Sequence, residues 1–200
     1  TPGWDVGPVA TLTQYVTKDP DTGLTNMGNY RAQVKAPRRM GMNPSLELRP
    51  GIYIHWEKMK ARGKKLPAAV VLGAPSCVTF TAAQKLPENM EEITVAGGLV
   101  GSPINIVKAR TVDLMVPAEA EIVVEGYIDT EMLEPEAPFG ESHGHVNLQE
   151  FNAFMDVTCI TRRTNAVMTS IISQVTPSES SCIKQVAYET IFMNHMRDAL

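Results

Sequence analysis

Between Ile104 and Ile128 three apolar runs, INIVKA, VDLMVP and EIVVEGYI, follow one another with only small turns between them. They read as short strands. Similar segments recur along the chain. VATLTQYVT alternates well enough for a strand, DPDTG is a turn cluster, and YRAQV completes a predicted hairpin. PAAVVLG reads as a buried strand, and FMDVTCITRR and AVMTSIIS as two more. Two helices are interspersed. One starts at Gly51, where Ile52, Trp56 and Met59 recur at helical spacing as far as Gly63, and a short one begins near Asn89. The pattern favours an α+β domain around an antiparallel barrel or strongly curled sheet over a βαβ array. A final helix is expected after TPSES, leaving the barrel as a connecting segment.

Charge narrows the partners. The 200 residues carry a formal net charge of −4, and the one dense cationic run, Lys58 to Lys65, lies within the predicted helix as a solvated face. No basic footprint for nucleic acid results. The longest apolar stretches, such as AAVVLGA, fall far short of the roughly 20 residues a membrane helix needs. Cys77, Cys159 and Cys182 are odd in number and lack CxxC spacing, so the expectation is a reducing, cytoplasmic compartment. The chain opens without Met and closes inside a helical pattern, which reads as a piece of a longer protein.

The densest titratable chemistry is EPEAPFGESHGH, with Glu134, Glu136 and Glu141 around a Pro-Phe-Gly bend and His143 and His145 just beyond. A solvated loop explains it as long as no cation elsewhere needs these acids. Arg31 is the candidate cation: on a strand it shares a face with Gln33 and can point into a barrel, or it can stand exposed on an edge strand. A buried guanidinium requires acid partners. Glu92 three residues after Asn89 fits a capping box, and Asn26 ahead of Gly28 fits a turn. Two histidines without a third ligand make a poor metal signal.

The ordered segments DPDTGLTNMGNYRAQV, EEITVAGGLVG, DLMVPAEAEIVVEGYI, EPEAPFGESHGHV and ISQVTPSESSCIKQVAYE resemble the UbiD family of decarboxylases across nearly the whole chain. The resemblance implies a split β-barrel related to flavin reductases, with flanking helices. It places a prenylated-FMN-binding domain over residues 1–177. Residues 178–200 become a connecting helix toward a dimerisation domain, through which a homo-oligomer would form. The implied activity is reversible, non-oxidative decarboxylation of an aromatic or α,β-unsaturated carboxylic acid. A non-catalytic flavin-binding subunit and a plain flavin reductase on the same barrel are the alternatives.

On the family pattern a Glu-Arg-Glu network falls on Arg31, Glu136 and Glu141. One carboxylate is held ionised by the arginine, while the second, competing for the same cation in a dry site, can keep a proton and deliver it. Glu141 is the implied donor, and Glu136 orients Arg31. Asn26 and Glu92 become ligands of a divalent manganese that ties down the cofactor phosphate, and backbone carbonyls near FTAAQ suit a potassium ion. Ser142 is a candidate substrate contact or a turn hydroxyl. The third metal-ligand position of the family falls on Arg49, which stays protonated and cannot ligate. Either Arg49 pairs with the phosphate directly, or the register is shifted and His55 takes the ligand's place.

Overall fold

The structure is a computed structural model that describes residues 7–44, 50–87, 89–148, 150–174 and 176–199. Arg49 lies outside the described residues. The chain divides into two compact units, the larger formed by Gly7–Glu136 and Phe151–Thr169, the smaller by residues 137–150 and 170–199.

The larger unit is built on one eight-stranded antiparallel sheet. Its strands are β1 (Val9–Ala10), β2 (Gln14–Lys18), β3 (Thr25–Asn29), β4 (Ala32–Ala36), β5 (Arg39–Met42), β6 (Leu66–Leu72), β9 (Ile122–Ile128) and β14 (Phe154–Arg162). In space they run β1-β4-β5-β14-β9-β6-β2-β3. β3 therefore forms one edge, while β4 stands beside the opposite edge, yet only Tyr30 and Arg31 separate the two in sequence. A two-residue joint reaches about 11 Å at most. The sheet must curl until its ends meet, and the result is the expected α+β split barrel.

Burial follows the period of two. In β6, Leu66, Ala68, Val70 and Leu72 enter one apolar cluster with Tyr15, Met42, Ile128 and Met155, while Ala69 and Val71 enter a second with Val16, Val78, Ala96 and Leu114. A strand covered on both faces has to be apolar throughout. Helix α1 (Gly51–Ala61) packs Ile52, Trp56 and Met59 on the first cluster; α2 (Ser76–Thr81) and α3 (Glu92–Val100) supply Val78 and Ala96 to the second. Gly63, in the left-handed region at φ 62, follows the end of α1, as the sequence indicates. β7 (Ile106–Lys108) and β8 (Met115–Pro117) form a separate hairpin, and β10 (Glu134–Glu136) pairs with β13 (Glu150–Asn152).

Several expectations are corrected. The predicted first strand is broken at residues 11–13, and the partner of β2 in its hairpin is β3, with Tyr15 opposite Gly28, so YRAQV is not that partner. Arg31 accordingly sits in the joint before β4 and not on a strand. AVMTSIIS forms no strand: Val167 and Met168 are exposed, and apolar residues without a sheet neighbour have nothing to pair with. α3 begins at Glu92 with Glu91 at its N-cap and no side-chain cap, so the capping box from Asn89 is absent. The cationic run is paired as well as solvated, since Lys58 reaches Asp19 at 2.6 Å and Lys65 reaches Asp129 at 2.9 Å.

In the smaller unit β11 (Phe139–Gly140) and β12 (Val146–Asn147) form a short hairpin, and α4 (Glu179–Ala199) is a 21-residue helix without a buried residue. None of the described helices is long and apolar enough to cross a membrane.

Candidate functional site

The joint that closes the barrel carries a buried ion pair. Arg31 Nε donates to Glu136 Oε1 at 2.7 Å and its second terminal nitrogen to Oε2 at 2.9 Å, a bidentate fork. Two carboxamides finish the carboxylate: Asn43 Nδ2 and Asn152 Nδ2 donate to Oε2 at 3.0 and 2.9 Å. Both charged side chains are largely shielded, at 12% and 5% exposure, so the pair depends on this geometry to offset desolvation. Tyr15 is fully buried nearby, in an edge contact with Tyr30 at 6.0 Å. Burial first, and then the charge of Glu136, raises the Tyr15 phenol far above its ordinary value.

On the β3 side of the joint lies a cavity of about 680 Å³, bordered by Asn26, Gly28, Gly51, His55, Lys58, Glu92 and the Ala82–Gln84 stretch among others. Asn26 and Glu92 meet here although they are far apart in sequence. Glu92 Oε2 accepts from the Met27 backbone N–H at 2.8 Å, which pins the start of α3 to β3. Burial raises the Glu92 carboxyl above its usual range, opposed by that backbone bond. Glu91 beside it accepts from the Thr25 backbone N–H at 2.7 Å. Gly51 lets the Asn26 side chain approach the start of α1, because a Cβ there would stand 2.0 Å from Asn26 Oδ1 and displace it. His55 is 6% exposed, with Nδ1 2.9 Å from Thr17 Oγ1. Desolvation brings it down to about 4 despite Asp19, so the imidazole is neutral at physiological pH.

Glu141 belongs to the smaller unit, directly after β11. Its carboxylate accepts from Asn147 Nδ2 at 2.7 Å, and its backbone N–H donates to His145 O at 2.8 Å. Ser142 offers its backbone carbonyl to Thr176 Oγ1 and Ser181 Oγ, at 3.0 and 2.8 Å. His143 and His145 are exposed, with ring centroids 5.3 Å apart.

Of the residues singled out in the sequence, the structure thus joins Arg31 to Glu136 and gathers Asn26, Glu92 and His55 around one cavity. Asn43 and Asn152 complete the first group, with Tyr15 nearby, and the sequence alone does not single them out. Nothing local marks them, because each matters only through a partner distant in sequence.

The cavity suits the phosphate-bearing part of a mononucleotide. Its volume is within the range of small-molecule sites, and Asn26, whose amide also acts on the Tyr30 phenol, brings a polar side chain to its border. The metal donors amount to less. Asn26 and Glu92 provide hard oxygens, but among the described residues no group of three or more His, Cys, Asp or Glu could hold a metal ion.

Residues 3–175 match the family model described as the 3-octaprenyl-4-hydroxybenzoate carboxy-lyase Rift-related domain, UbiD. The UbiD-class enzyme HmfF from Pelotomaculum thermopropionicum, solved with FMN, superposes with a TM-score of 0.90 at 30% identity, over 98% of this chain and 43% of that one. An evolved dimeric form of HmfF with prFMN gives 0.80 at 31% identity, over 84% and 38%. Vanillic acid decarboxylase from Sedimentibacter hydroxybenzoicus, in its closed form, gives 0.82 at 32% identity, over 86% and 37%. The chain spans about two-fifths of the length of these relatives. With the family model covering most of its length, and with its barrel shared by enzymes of that class, the chain belongs to the UbiD family.

Proposed function

We propose that this chain is the cofactor-binding domain of a carboxy-lyase that removes CO₂, reversibly and without oxidation, from an aromatic or α,β-unsaturated carboxylic acid, with prenylated FMN as cofactor. The observation that carries the reading is the shielded bidentate pair of Arg31 and Glu136 at the barrel joint. An arginine fixed there by a carboxylate that two carboxamides hold in turn is a pre-oriented partner for a substrate carboxylate.

When bound, the cofactor supplies an electron sink for the electrons left behind as CO₂ departs. The chain's own residues do the rest. Glu136 fixes the plane of the guanidinium; Arg31 orients the scissile carboxylate; Glu141 delivers a proton to the carbon that has lost CO₂. Asn26, Glu92 and His55 border the cavity that takes the phosphate end. Asn26 and Glu92 are the residues to hold a manganese ion beside the phosphate, with carbonyls of the 80–84 stretch suited to potassium. Residues 1–177 form the cofactor domain in this reading, and 178–200 lead toward a dimerisation region of a cytoplasmic oligomer.

The test uses the full-length protein loaded with prenylated FMN and follows CO₂ release from candidate acids. Glu141→Gln should lower turnover at least ~100-fold while the cofactor stays bound, because an amide keeps the shape but cannot give up a proton at a useful rate. Turnover within a few-fold of wild type ends the donor assignment. A loaded protein that releases CO₂ from no acid is a flavin-binding subunit without the lyase reaction.

A further inference from the structure

His55 is a polar side chain kept almost entirely from bulk water, on the cavity face of α1 one turn after Gly51. Its Nδ1 faces Thr17 Oγ1, which is itself fully buried and, among the described residues, has no other hydrogen-bond partner. A buried hydroxyl proton left unpaired costs about 1–3 kcal/mol. Thr17 therefore donates to Nδ1, and in a neutral imidazole that puts the ring proton on Nε2. The nearest acid to Nε2, Asp19 Oδ2, is 3.9 Å away, beyond hydrogen-bond reach, and already takes Lys58 at 2.6 Å. In that tautomer Nε2 is a hydrogen-bond donor, and a metal there would have to displace its proton and leave the Thr17 hydroxyl unpaired.

The surroundings point the same way. Thr17 is the cross-strand partner of Asn26, and Asn26 and His55 border the same cavity. The first turn of α1 has no side-chain cap and no acidic residue; the Tyr53 and Ile54 N–H groups donate to Pro50 O, and the positive end of the helix faces the cavity border at Gly51. Of the two acids bordering the cavity, Asp19 takes Lys58, and one oxygen of Glu92 accepts from the Met27 backbone.

We infer that His55 donates a hydrogen bond from Nε2 to the phosphate of a flavin mononucleotide seated at the start of α1, and does not ligate a metal. The inference rests on the flavin-binding reading above and adds to it the residue that tells FMN from riboflavin. The full-length apoprotein is titrated with FMN and with riboflavin by flavin fluorescence, with and without a chelator. Wild type should prefer FMN. His55→Leu should lose about tenfold to hundredfold in FMN affinity, the scale of a hydrogen bond to a charged group, with riboflavin affinity unchanged. His55→Gln, which retains an N–H donor, should recover part of the preference, and His55→Phe gives the same reading as leucine should that variant fail to fold. An unchanged FMN-to-riboflavin ratio in the leucine and phenylalanine variants overturns the inference. So does a wild-type preference that chelation alone abolishes, since that assigns the phosphate to a metal. Wild-type protein that binds neither flavin removes the flavin reading itself, a result separable from both.

Discussion

The Arg31–Glu136 pair and the cavity around Asn26 are five residues apart along one stretch of chain, and they are electrostatically opposite. At the pair, one carboxylate accepts from a guanidinium fork and two carboxamides, all inside hydrogen-bond distance. In the cavity, among the described residues, the imidazole makes one hydrogen bond and the helix begins without a side-chain cap. A closed network stores its energy in the fold, whereas an open one leaves donors to be satisfied by whatever binds. The first region should therefore respond to mutation through stability, the second through ligand affinity.

The largest expected effect tests the closed side. Glu136→Ala withdraws the bidentate acid from a shielded guanidinium and should destabilise the protein by about 3–5 kcal/mol in urea unfolding. A loss below about 1 kcal/mol would break the contrast, showing that the pair behaves like an exposed one.

Next in size is a pH effect from the open side. His55 has a folded value of about 4, below its ordinary 6.5, so between these values the unfolded chain binds the proton more readily. The stability linked to it is complete above pH ~6.5 and is lost as pH falls toward 4, on the order of 3 kcal/mol at the lower end. Denaturant midpoints of the apoprotein across that window should show a shallower pH slope in His55→Leu. Equal slopes would mean that His55 is hydrated and that the cavity wall is less dry than its burial indicates.

The smallest effect sharpens the comparison. Gly51→Ala pushes a methyl toward Asn26 Oδ1 and should weaken FMN binding about tenfold, some 1.4 kcal/mol, while shifting unfolding free energy by less than about 1 kcal/mol. A large stability loss with unaltered affinity would move Asn26 from the ligand side to the structural side.

The parts of this molecule that a sequence reader can see are those whose cause is local. α1 is visible in Ile52, Trp56 and Met59 followed by Gly63, and β6, β9 and β14 in apolar runs long enough to span the sheet. β3 is hidden because TNMGN carries one large apolar residue, Met27, and draws its order from the ladder with β2. α2 is only six residues, without a side-chain cap, and leaves no periodic trace. The apolar content of AVMTSIIS misleads because a strand requires a neighbour as well as a composition. Within the site, Arg31 and Glu136 are 105 residues apart, so spacing cannot join them and only the family resemblance does. The burial of His55 is set by Thr17 on another element and has no sequence signature.

The two-residue joint at Tyr30 and Arg31 also orders events in time. The β2–β3 hairpin is local and can form early, but Arg31 in the joint can meet Glu136 only after the strands between have aligned. Contacts of such sequence separation pay their loop-closure entropy late in folding. The guanidinium–carboxylate fork should then be absent from the folding transition state, and weakening it should speed unfolding far more than it slows folding. In rate terms the joint acts as a latch: it contributes little to how fast the barrel assembles and much to how long it stays shut.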